Sequence, residues 1–220
     1  GNSYQGLCEL IHRKTKGEDG VYYTYSEEKP ISFNPFYTDD YKFSVEKKDS
    51  IKTLLLTLWK SEDEKITKTE SGELGSAVSA YIRKIQQDRS IVPSFDTFYE
   101  YMLGDYRAEL AKRDIKVSRD DFNIDNFLTT LRQYYKGGRY DFLLNSKENI
   151  DLLNKRFIVF EIDAVKDNSE LFPVVTIIIM EAFLNKMRRL KGVRKMLICE
   201  EAWKALSSPS MSEYLKYLYK

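Results

Sequence analysis

The sequence contains few of the residues on which several classes of protein depend. Two cysteines and one histidine in 220 residues are too few for a disulfide framework or a paired-cysteine zinc site. Opposite charges almost cancel, since 35 Lys and Arg face 34 Asp and Glu, so the overall charge does not indicate nucleic acid or acidic lipid as a partner. The longest apolar stretch, residues 171–180, is far shorter than the ~20 residues of a membrane-spanning helix. What remains is the composition of a folded domain, 42% hydrophobic and 31% charged, in a reducing compartment.

The sequence also lacks the glycine-rich loop with which many nucleotide-hydrolysing enzymes hold phosphate. That loop has the pattern Gly-x-x-x-x-Gly-Lys-Ser/Thr, whose backbone amides and lysine contact the phosphates. Residues 17–20 and 137–138 contain glycines without that spacing or the trailing lysine, and we predict turns at both places. The Gly-x-Ser-x-Gly pattern of serine hydrolases is absent as well.

Hydrophobic spacing divides the chain into three parts, residues 1–44, 45–150 and 151–220. The first part combines a helical opening with two short strands, predicted at 21–25 and 31–33. The second part repeats apolar residues at the i, i+3, i+4 spacing of helices, which predicts a helical subdomain. The third part alternates strand, helix and strand, which is typical of a parallel sheet covered by helices. The fold class is therefore α/β, with an α-rich block in the middle.

Four helices are predicted within the middle part. Their candidate N-terminal caps are Asp49 or Ser50 for the first, Ser94 for the third and Asn123 or Asp125 for the fourth. The fourth helix is expected to end at Gly137-Gly138, as a left-handed helix cap requires. The apolar positions that define the four helices are Ile51, Leu54, Leu55 and Leu58; Leu74, Val78, Tyr81, Ile82 and Ile85; Phe95, Phe98, Tyr99 and Met102; and Phe127, Leu128, Leu131 and Tyr135.

The segment most informative about chemistry is an apolar run that ends in two consecutive glutamates. Glu200 and Glu201 follow a strand predicted at 193–199, and a helix is predicted directly after them. In an open parallel sheet, ligands bind beyond the carboxyl ends of the strands, so these carboxylates are candidates for a site. Glu200 can hold Mg²⁺ through its waters, and Glu201 can orient or deprotonate an attacking water. The same glutamates would also stabilise the N terminus of the following helix through its dipole, and the spacing leaves both interpretations open.

A neighbouring strand is expected to bring further carboxylates to the same edge. Residues 156–163 form a predicted strand that ends in acid, and a right-handed crossover through a helix at 174–190 would place it parallel to the strand that precedes the glutamates. Glu161 and Asp163 would share a strand face, and Asp163 would lie near the two glutamates. Such a cluster would suit a metal-dependent nuclease or phosphatase, although the one histidine, His12, lies in the polar opening segment.

The segment Lys195–Lys204 resembles the second acidic motif of the TraG-type conjugation ATPases, the motors of conjugative transposons and type IV secretion systems. Further segments resemble the same family in the same order. They are Gly1–Tyr4, similar to the turn after the family's second core strand; Ile31–Phe36, similar to its Asn-Pro-Phe segment; and Gly137–Leu143 and Arg156–Asp163, similar to its return to the core. The resemblance covers essentially the whole chain.

The resemblance implies a partial RecA-like P-loop NTPase core of parallel strands with a large inserted α-helical subdomain at 45–150. It implies ATP and Mg²⁺ as cofactors, Glu200 as the cofactor-binding and metal-binding residue, and Glu201 as the catalytic base. Glu200 stands where the family usually has an aspartate. The family's phosphate-binding loop would lie upstream of Gly1, and its later core strands and arginine finger would lie beyond Lys220. We therefore expect the chain by itself to be inactive.

The resemblance also implies that the intact protein is a Mg²⁺-dependent ATPase that powers assembly of, or transport through, a DNA-transfer channel. Its partners would be further copies of the same ATPase and inner-membrane components of the channel. Its location would be the cytoplasm, in peripheral association with the inner membrane. DNA stays open as a partner that the charge does not indicate. The main alternative is a non-catalytic helical module that binds other proteins of a secretion or conjugation complex.

Overall fold

The structure is a computed structural model that describes residues 3–26, 30–38, 40–61, 64–147, 152, 154–168, 170–198 and 200. The chain divides into two compact units, one of Gly1–Ile31 with Asn149–Lys220 and the other of Ser32–Glu148. We call them the sheet unit and the helical unit. The assignment of residues 1–44 and 151–220 to a motor core, and of 45–150 to an insertion, stays a prediction.

The first two and the last three described elements belong to the sheet unit, and those between them belong to the helical unit. In chain order they are α1 (Ser3–Lys14), β1 (Val21–Thr24), α2 (Val45–Trp59), α3 (Lys68–Gln87), α4 (Phe95–Tyr101), a π-helical turn (Met102–Tyr106), α5 (Arg107–Lys112), α6 (Ile124–Leu131), a 3-10 turn (Arg132–Tyr134), β2 (Ile158–Glu161), a 3-10 turn (Asp163–Val165) and α7 (Leu171–Arg189). Within the described residues, no helix has the length and apolarity needed to cross a membrane.

Strands β1 and β2 form a parallel pair in the sheet unit. Val21 lies opposite Ile158, and the rings of Tyr23 and Phe160 stack with their centroids 5.1 Å apart. Helix α1 packs against both strands and buries Cys8, whose thiol donates a hydrogen bond to the carbonyl of Val21 at 3.6 Å. The parallel pairing with a covering helix confirms the α/β character of the chain, while the RecA-like arrangement stays a prediction.

A buried carboxylate fixes the start of this sheet. Asp19 is only 8% exposed, and its Oδ1 accepts hydrogen bonds from the backbone amides of Arg156 at 2.6 Å, Phe157 at 2.8 Å and Gly20 at 3.2 Å. Burial alone would raise the pKa of Asp19, but the amide hydrogen bonds outweigh it and the pKa is lowered. Gly20 has a φ of +76°, and a Cβ there would lie 2.4 Å from the carbonyl oxygen of Cys8, so only glycine fits this turn.

Asn34 and Phe36, in the segment that resembles the family's Asn-Pro-Phe, pack within the core of the helical unit. The buried amide of Asn34 donates to the carbonyl of Pro93 at 2.9 Å, and its Oδ1 accepts from the amide of Phe36 at 2.9 Å. The ring of Phe36 is fully buried, edge-on to Tyr81 at 5.0 Å and stacked on Phe98 at 5.1 Å. This segment therefore packs the beginning of the helical unit against helices α3 and α4.

The predicted helices of this unit are present, and their ends are only partly as expected. The predicted caps Ser94 and Asn123 are confirmed, whereas α2 begins earlier than expected, at Val45, because the side chain of Ser44 accepts from the amide of Lys47 at 3.1 Å. All the predicted core positions of the first three helices are buried, as are Phe127, Leu128 and Leu131 of the fourth.

The expected end of the fourth helix at Gly137-Gly138 is wrong, since α6 ends at Leu131 and continues only as a 3-10 turn. A longer helix would need the carbonyl of Gln133 to accept from the amide of Gly137. That carbonyl instead accepts from Tyr140 at 2.8 Å, and the amide of Gly137 donates to the carboxylate of Asp141 at 2.9 Å. The backbone groups that a longer helix would pair are therefore bonded to Tyr140 and Asp141.

Two further predictions differ from the structure. Residues 31–33 do not form the predicted strand. The amide of Phe33 instead donates a hydrogen bond to the carbonyl of Leu143, in a loop, at 2.8 Å. Helix α7 begins at Leu171, earlier than the predicted residue 174, because the side chain of Asn168 accepts from the amide of Leu171 at 2.9 Å. Pro173 therefore lies in the first turn of α7. Proline is tolerated there because the first amides of a helix have no carbonyl partner within the helix.

Replacing Asp19 by Asn should weaken the sheet unit, because the buried amides lose a charged acceptor. We expect a loss of about 1.5–3 kcal/mol at neutral pH, the usual contribution of hydrogen bonds to a charged group. Because folding lowers the pKa of Asp19, its contribution is fully present above the ordinary value of 3.8 and is lost as the pH falls through the lowered value. Hydrogen exchange of the β1 and β2 amides should therefore differ between Asp19→Asn and wild type at neutral pH and converge in acid.

The matched control is Asp167→Asn, an exposed aspartate of the same unit. It should leave the exchange of the strand amides unchanged at every pH. Equal protection of the strands in wild type and Asp19→Asn at neutral pH would show that the Asp19 carboxylate does not stabilise the sheet.

Replacing Phe36 by Ala should destabilise the helical unit strongly, because it empties a fully buried position between two aromatic rings. We expect a loss of about 3–5 kcal/mol in the free energy of unfolding, measured by urea denaturation followed by far-ultraviolet circular dichroism. Leu103→Ala is the control, since Leu103 is 52% exposed and should lose well under half as much. Similar losses for both variants would refute the anchoring role of Phe36.

Candidate functional site

The carboxyl ends of β1 and β2 meet at one edge of the sheet unit. Thr24 lies opposite Glu161 in the parallel register, and the amide of Tyr25 continues the ladder by donating to the carbonyl of Glu161 at 3.2 Å. The strand predicted at 156–163 is therefore confirmed at its centre, residues 158–161, and it ends in acid as expected. In an open parallel sheet this is the edge at which ligands bind.

The side chain of Glu161 is engaged within this edge. Its Oε2 accepts from the hydroxyl of Tyr22 at 3.3 Å, and its Oε1 accepts from the amide of Asp163 at 3.1 Å. Burial and then the negative charge of Glu161 raise the pKa of Tyr22. The expectation that Glu161 and Asp163 share a strand face is wrong, because β2 ends at Glu161 and Asp163 begins a 3-10 turn. The turn forms because the amide of Asp163 bonds the Glu161 side chain.

Glu200, the first candidate site residue, is exposed and contacts the other end of the sheet unit's sequence. The hydroxyl of Tyr4 donates a hydrogen bond to Oε1 of Glu200 at 2.8 Å, across 196 residues of sequence. This hydrogen bond, and then the charge of the carboxylate, raises the pKa of Tyr4. Tyr4 lies in the first turn of α1. Glu201, the second candidate, lies outside the described residues.

The predicted pairing of β2 with a strand at 193–199 is wrong for the part of that segment that the structure describes. Residues 193–198 form neither helix nor strand, and the described neighbour of β2 is β1. Three of the apolar side chains are well exposed: Val193 by 58%, Met196 by 81% and Ile198 by 66%. Apolar composition predicts that a strand will be buried, but a strand forms only where a neighbour offers backbone hydrogen bonds. Residues 193–198 have none of those ladder bonds.

Of the expected acidic cluster of Glu161, Asp163, Glu200 and Glu201, the structure describes the first three, since Glu201 lies outside the described residues. Among those residues, no three His, Cys, Asp or Glu side chains come together as metal ligands. A nucleotide-bound Mg²⁺ needs less from the protein, because it keeps several waters and uses one or two carboxylates together with phosphate oxygens. The exposed carboxylate of Glu200 is of the kind that a hydrated, nucleotide-bound Mg²⁺ requires.

The glycines that might suggest a phosphate loop lie in turns, as predicted. Gly17 and Gly20 have φ values of +88° and +76° in the connection between α1 and β1, and Gly137 has +74° after α6. These positive φ values explain the glycines by backbone geometry alone.

Comparison with known families now identifies the chain. The model of the TraG P-loop domain matches residues 1–220, which is the whole sequence. The chain belongs to the TraG P-loop domain family. This confirms the resemblance that the Lys195–Lys204 motif and the other segments suggested, and it supports conjugation and P-loop nucleotide binding as the general area of function. A comparison with curated proteins gives no match.

Sequence reasoning missed the contact between Tyr4 and Glu200. The two residues stand in two segments that resemble the family, Gly1–Tyr4 and Lys195–Lys204. Nothing in local spacing indicates that they meet. A search for side-chain donors in the other family-like segments would have included Tyr4 together with Asn34, Arg139, Tyr140 and Arg156.

Proposed function

We propose that this TraG P-loop domain is part of an ATPase that hydrolyses ATP to drive assembly of, or transport through, a conjugation or type IV secretion channel. The observation that carries the proposal is the match of the family model to the full chain. The parallel pair of β1 and β2, with the carboxylate of Glu161 at the end of β2, supports it.

Glu200 is proposed as the residue that holds Mg²⁺ through the ion's waters. When bound, the ion supplies positive charge that offsets the charge of the nucleotide phosphates. The exposure of the Glu200 carboxylate supports this role, because an incoming nucleotide has access to it. Glu200 is one methylene longer than the aspartate usual in the family, which extends the reach of its carboxylate.

Glu201 is proposed as the residue that orients the attacking water and accepts its proton. A carboxylate is suited to this step because it accepts hydrogen bonds from water and is ionised at neutral pH. The water oxygen forms a bond to the γ-phosphorus while the bond to the bridging oxygen of ADP breaks. ADP and inorganic phosphate are the products.

The partners and location follow from the same proposal. Further copies of the ATPase and inner-membrane components of the channel are proposed as protein partners, with the ATPase on the cytoplasmic side of that membrane. The balanced charge of the chain supports protein partners over a DNA backbone as its principal contacts, since 35 basic side chains are offset by 34 acidic ones.

Replacing Glu201 by Gln in the full-length protein should abolish turnover while preserving folding, because Gln has the same shape and cannot accept the proton. We expect ATP hydrolysis to fall by about 10²-fold or more, the usual contribution of a general base. Conjugative transfer should be lost, and subunit assembly, measured by size-exclusion chromatography, should be retained. ATP hydrolysis is measured as phosphate release.

The control is Glu9→Gln, an exposed glutamate on α1. It should hydrolyse ATP and support transfer as the wild type does. Undiminished transfer in Glu201→Gln would favour the alternative of a non-catalytic protein-interaction module, in which the two glutamates only stabilise a helix N terminus.

The 220-residue chain by itself should bind ATP weakly, because it lacks the Gly-x-x-x-x-Gly-Lys-Ser/Thr loop that grips phosphate. Calorimetric titration with ATP and Mg²⁺ should show no saturation below about 1 mM. The full-length protein, titrated in the same way, is the comparison. Micromolar affinity in the 220-residue chain would mean that other residues of this chain contact the phosphates.

A further inference from the structure

Tyr4 and Glu200 are brought together at the surface of the sheet unit by the fold alone. The Tyr4 hydroxyl donates to Glu200 Oε1 at 2.8 Å, a normal length for a hydrogen bond from a hydroxyl to a carboxylate. Among the described residues, this is the one hydrogen bond in which Glu200 takes part. Tyr4 lies in the first turn of α1 and is partly exposed, and its hydroxyl reaches the exposed carboxylate.

A tyrosine hydroxyl is a donor without charge, which matters for what Glu200 can then do. A lysine or arginine at this place would form an ion pair and offset the negative charge of the carboxylate. The hydroxyl instead fixes one oxygen and leaves the carboxylate charged, and the second oxygen takes part in no hydrogen bond within the described residues. A carboxylate restrained in this way loses less side-chain freedom when it binds a cation.

We propose that Tyr4 is a positioning residue for Glu200, holding its carboxylate ready for the hydrated Mg²⁺ of a bound nucleotide. This inference rests on the proposed function, because it takes Glu200 as the residue that holds the ion. Tyr4 acts through Glu200 and itself contacts neither the ion nor the nucleotide. No other described side chain is in a position to restrain Glu200 by a hydrogen bond.

The first experiment tests the contact itself in the full-length protein, without nucleotide. 3-Fluorotyrosine is incorporated at position 4, and its single ¹⁹F resonance is compared in the Glu200→Gln and Glu9→Gln backgrounds. Glu9 is a suitable control because it is an exposed carboxylate on the same helix as Tyr4, and it bonds Gln5 and Arg13 instead. We expect Glu200→Gln to shift the resonance and Glu9→Gln to leave it in place. An unchanged resonance in Glu200→Gln would overturn the inference.

The second experiment measures the Mg²⁺ dependence of ATP hydrolysis in Tyr4→Phe. We expect the Mg²⁺ concentration for half-maximal rate to rise about three- to tenfold, the usual effect of losing one hydrogen bond. The rate at saturating Mg²⁺ should stay within about twofold of wild type. A purely structural role would lower the maximal rate or the melting temperature and leave the Mg²⁺ dependence unchanged, and that result would also overturn the inference.

Tyr135→Phe is the matched control for this second experiment. The hydroxyl of Tyr135 donates to Oε1 of Glu100 at 2.9 Å, another exposed tyrosine–glutamate hydrogen bond, in the helical unit. It should leave the Mg²⁺ dependence unchanged. If Glu201→Gln abolishes hydrolysis while Tyr4→Phe has no effect on Mg²⁺, the proposed function stands and the role of Tyr4 is refuted. If Glu201→Gln hydrolyses ATP normally, the proposed function fails and takes this inference with it.

Discussion

The carboxylate of Asp19 joins two parts of the chain that lie far apart in sequence. It accepts hydrogen bonds from the amides of Arg156 and Phe157, which follow it by 137 and 138 residues. These amides directly precede β2, so the bonds set the register in which β2 meets β1. An isolated pair of short strands is marginally stable in water, and a buried charged acceptor with three amide donors gives this pair a fixed point. The edge at which Thr24 and Glu161 meet follows from that register.

Local signals in the sequence were enough to predict the helical unit and both described strands, β1 within 21–25 and β2 within 156–163. The 3.6-residue spacing of apolar residues identified α2, α3, α4 and α6, and side-chain chemistry identified the caps Ser94 and Asn123. The errors have more than one cause. The early starts of α2 and α7 depend on side chains close in sequence, Ser44 and Asn168, whereas other errors depend on partners outside the predicted segment. Tyr140 took the carbonyl that would have extended α6. The apolar run at 193–198 was predicted as a strand from composition, although composition does not say which neighbour a strand pairs with.

The candidate site was likewise predictable where it depends on neighbouring residues and not where it depends on residues distant in sequence. The paired glutamates and their apolar approach were readable from the sequence, and so was the acid at the end of β2. The grouping of Glu161 and Asp163 with Glu200 was not, because it assumed a strand at 193–199, and residues 193–198 form no strand. Once β2 ends at Glu161, that side chain is used to hold the following turn through the amide of Asp163. Its position in sequence suggested a ligand, whereas its contacts indicate a structural role.

Glu161 and Glu200 have different surroundings, and the difference indicates which of them is better suited to bind a cation. Glu161 is bonded on both oxygens, by the Tyr22 hydroxyl and by a backbone amide, and is only partly exposed. Glu200 is exposed and is bonded within the described residues by the Tyr4 hydroxyl alone. Mg²⁺ with its waters needs an accessible carboxylate that keeps its charge, and it gives up water reluctantly. On these grounds the residue that the family motif singles out is also the one that local chemistry favours, and a neutral tyrosine is a suitable neighbour because it orients the carboxylate without competing for its charge.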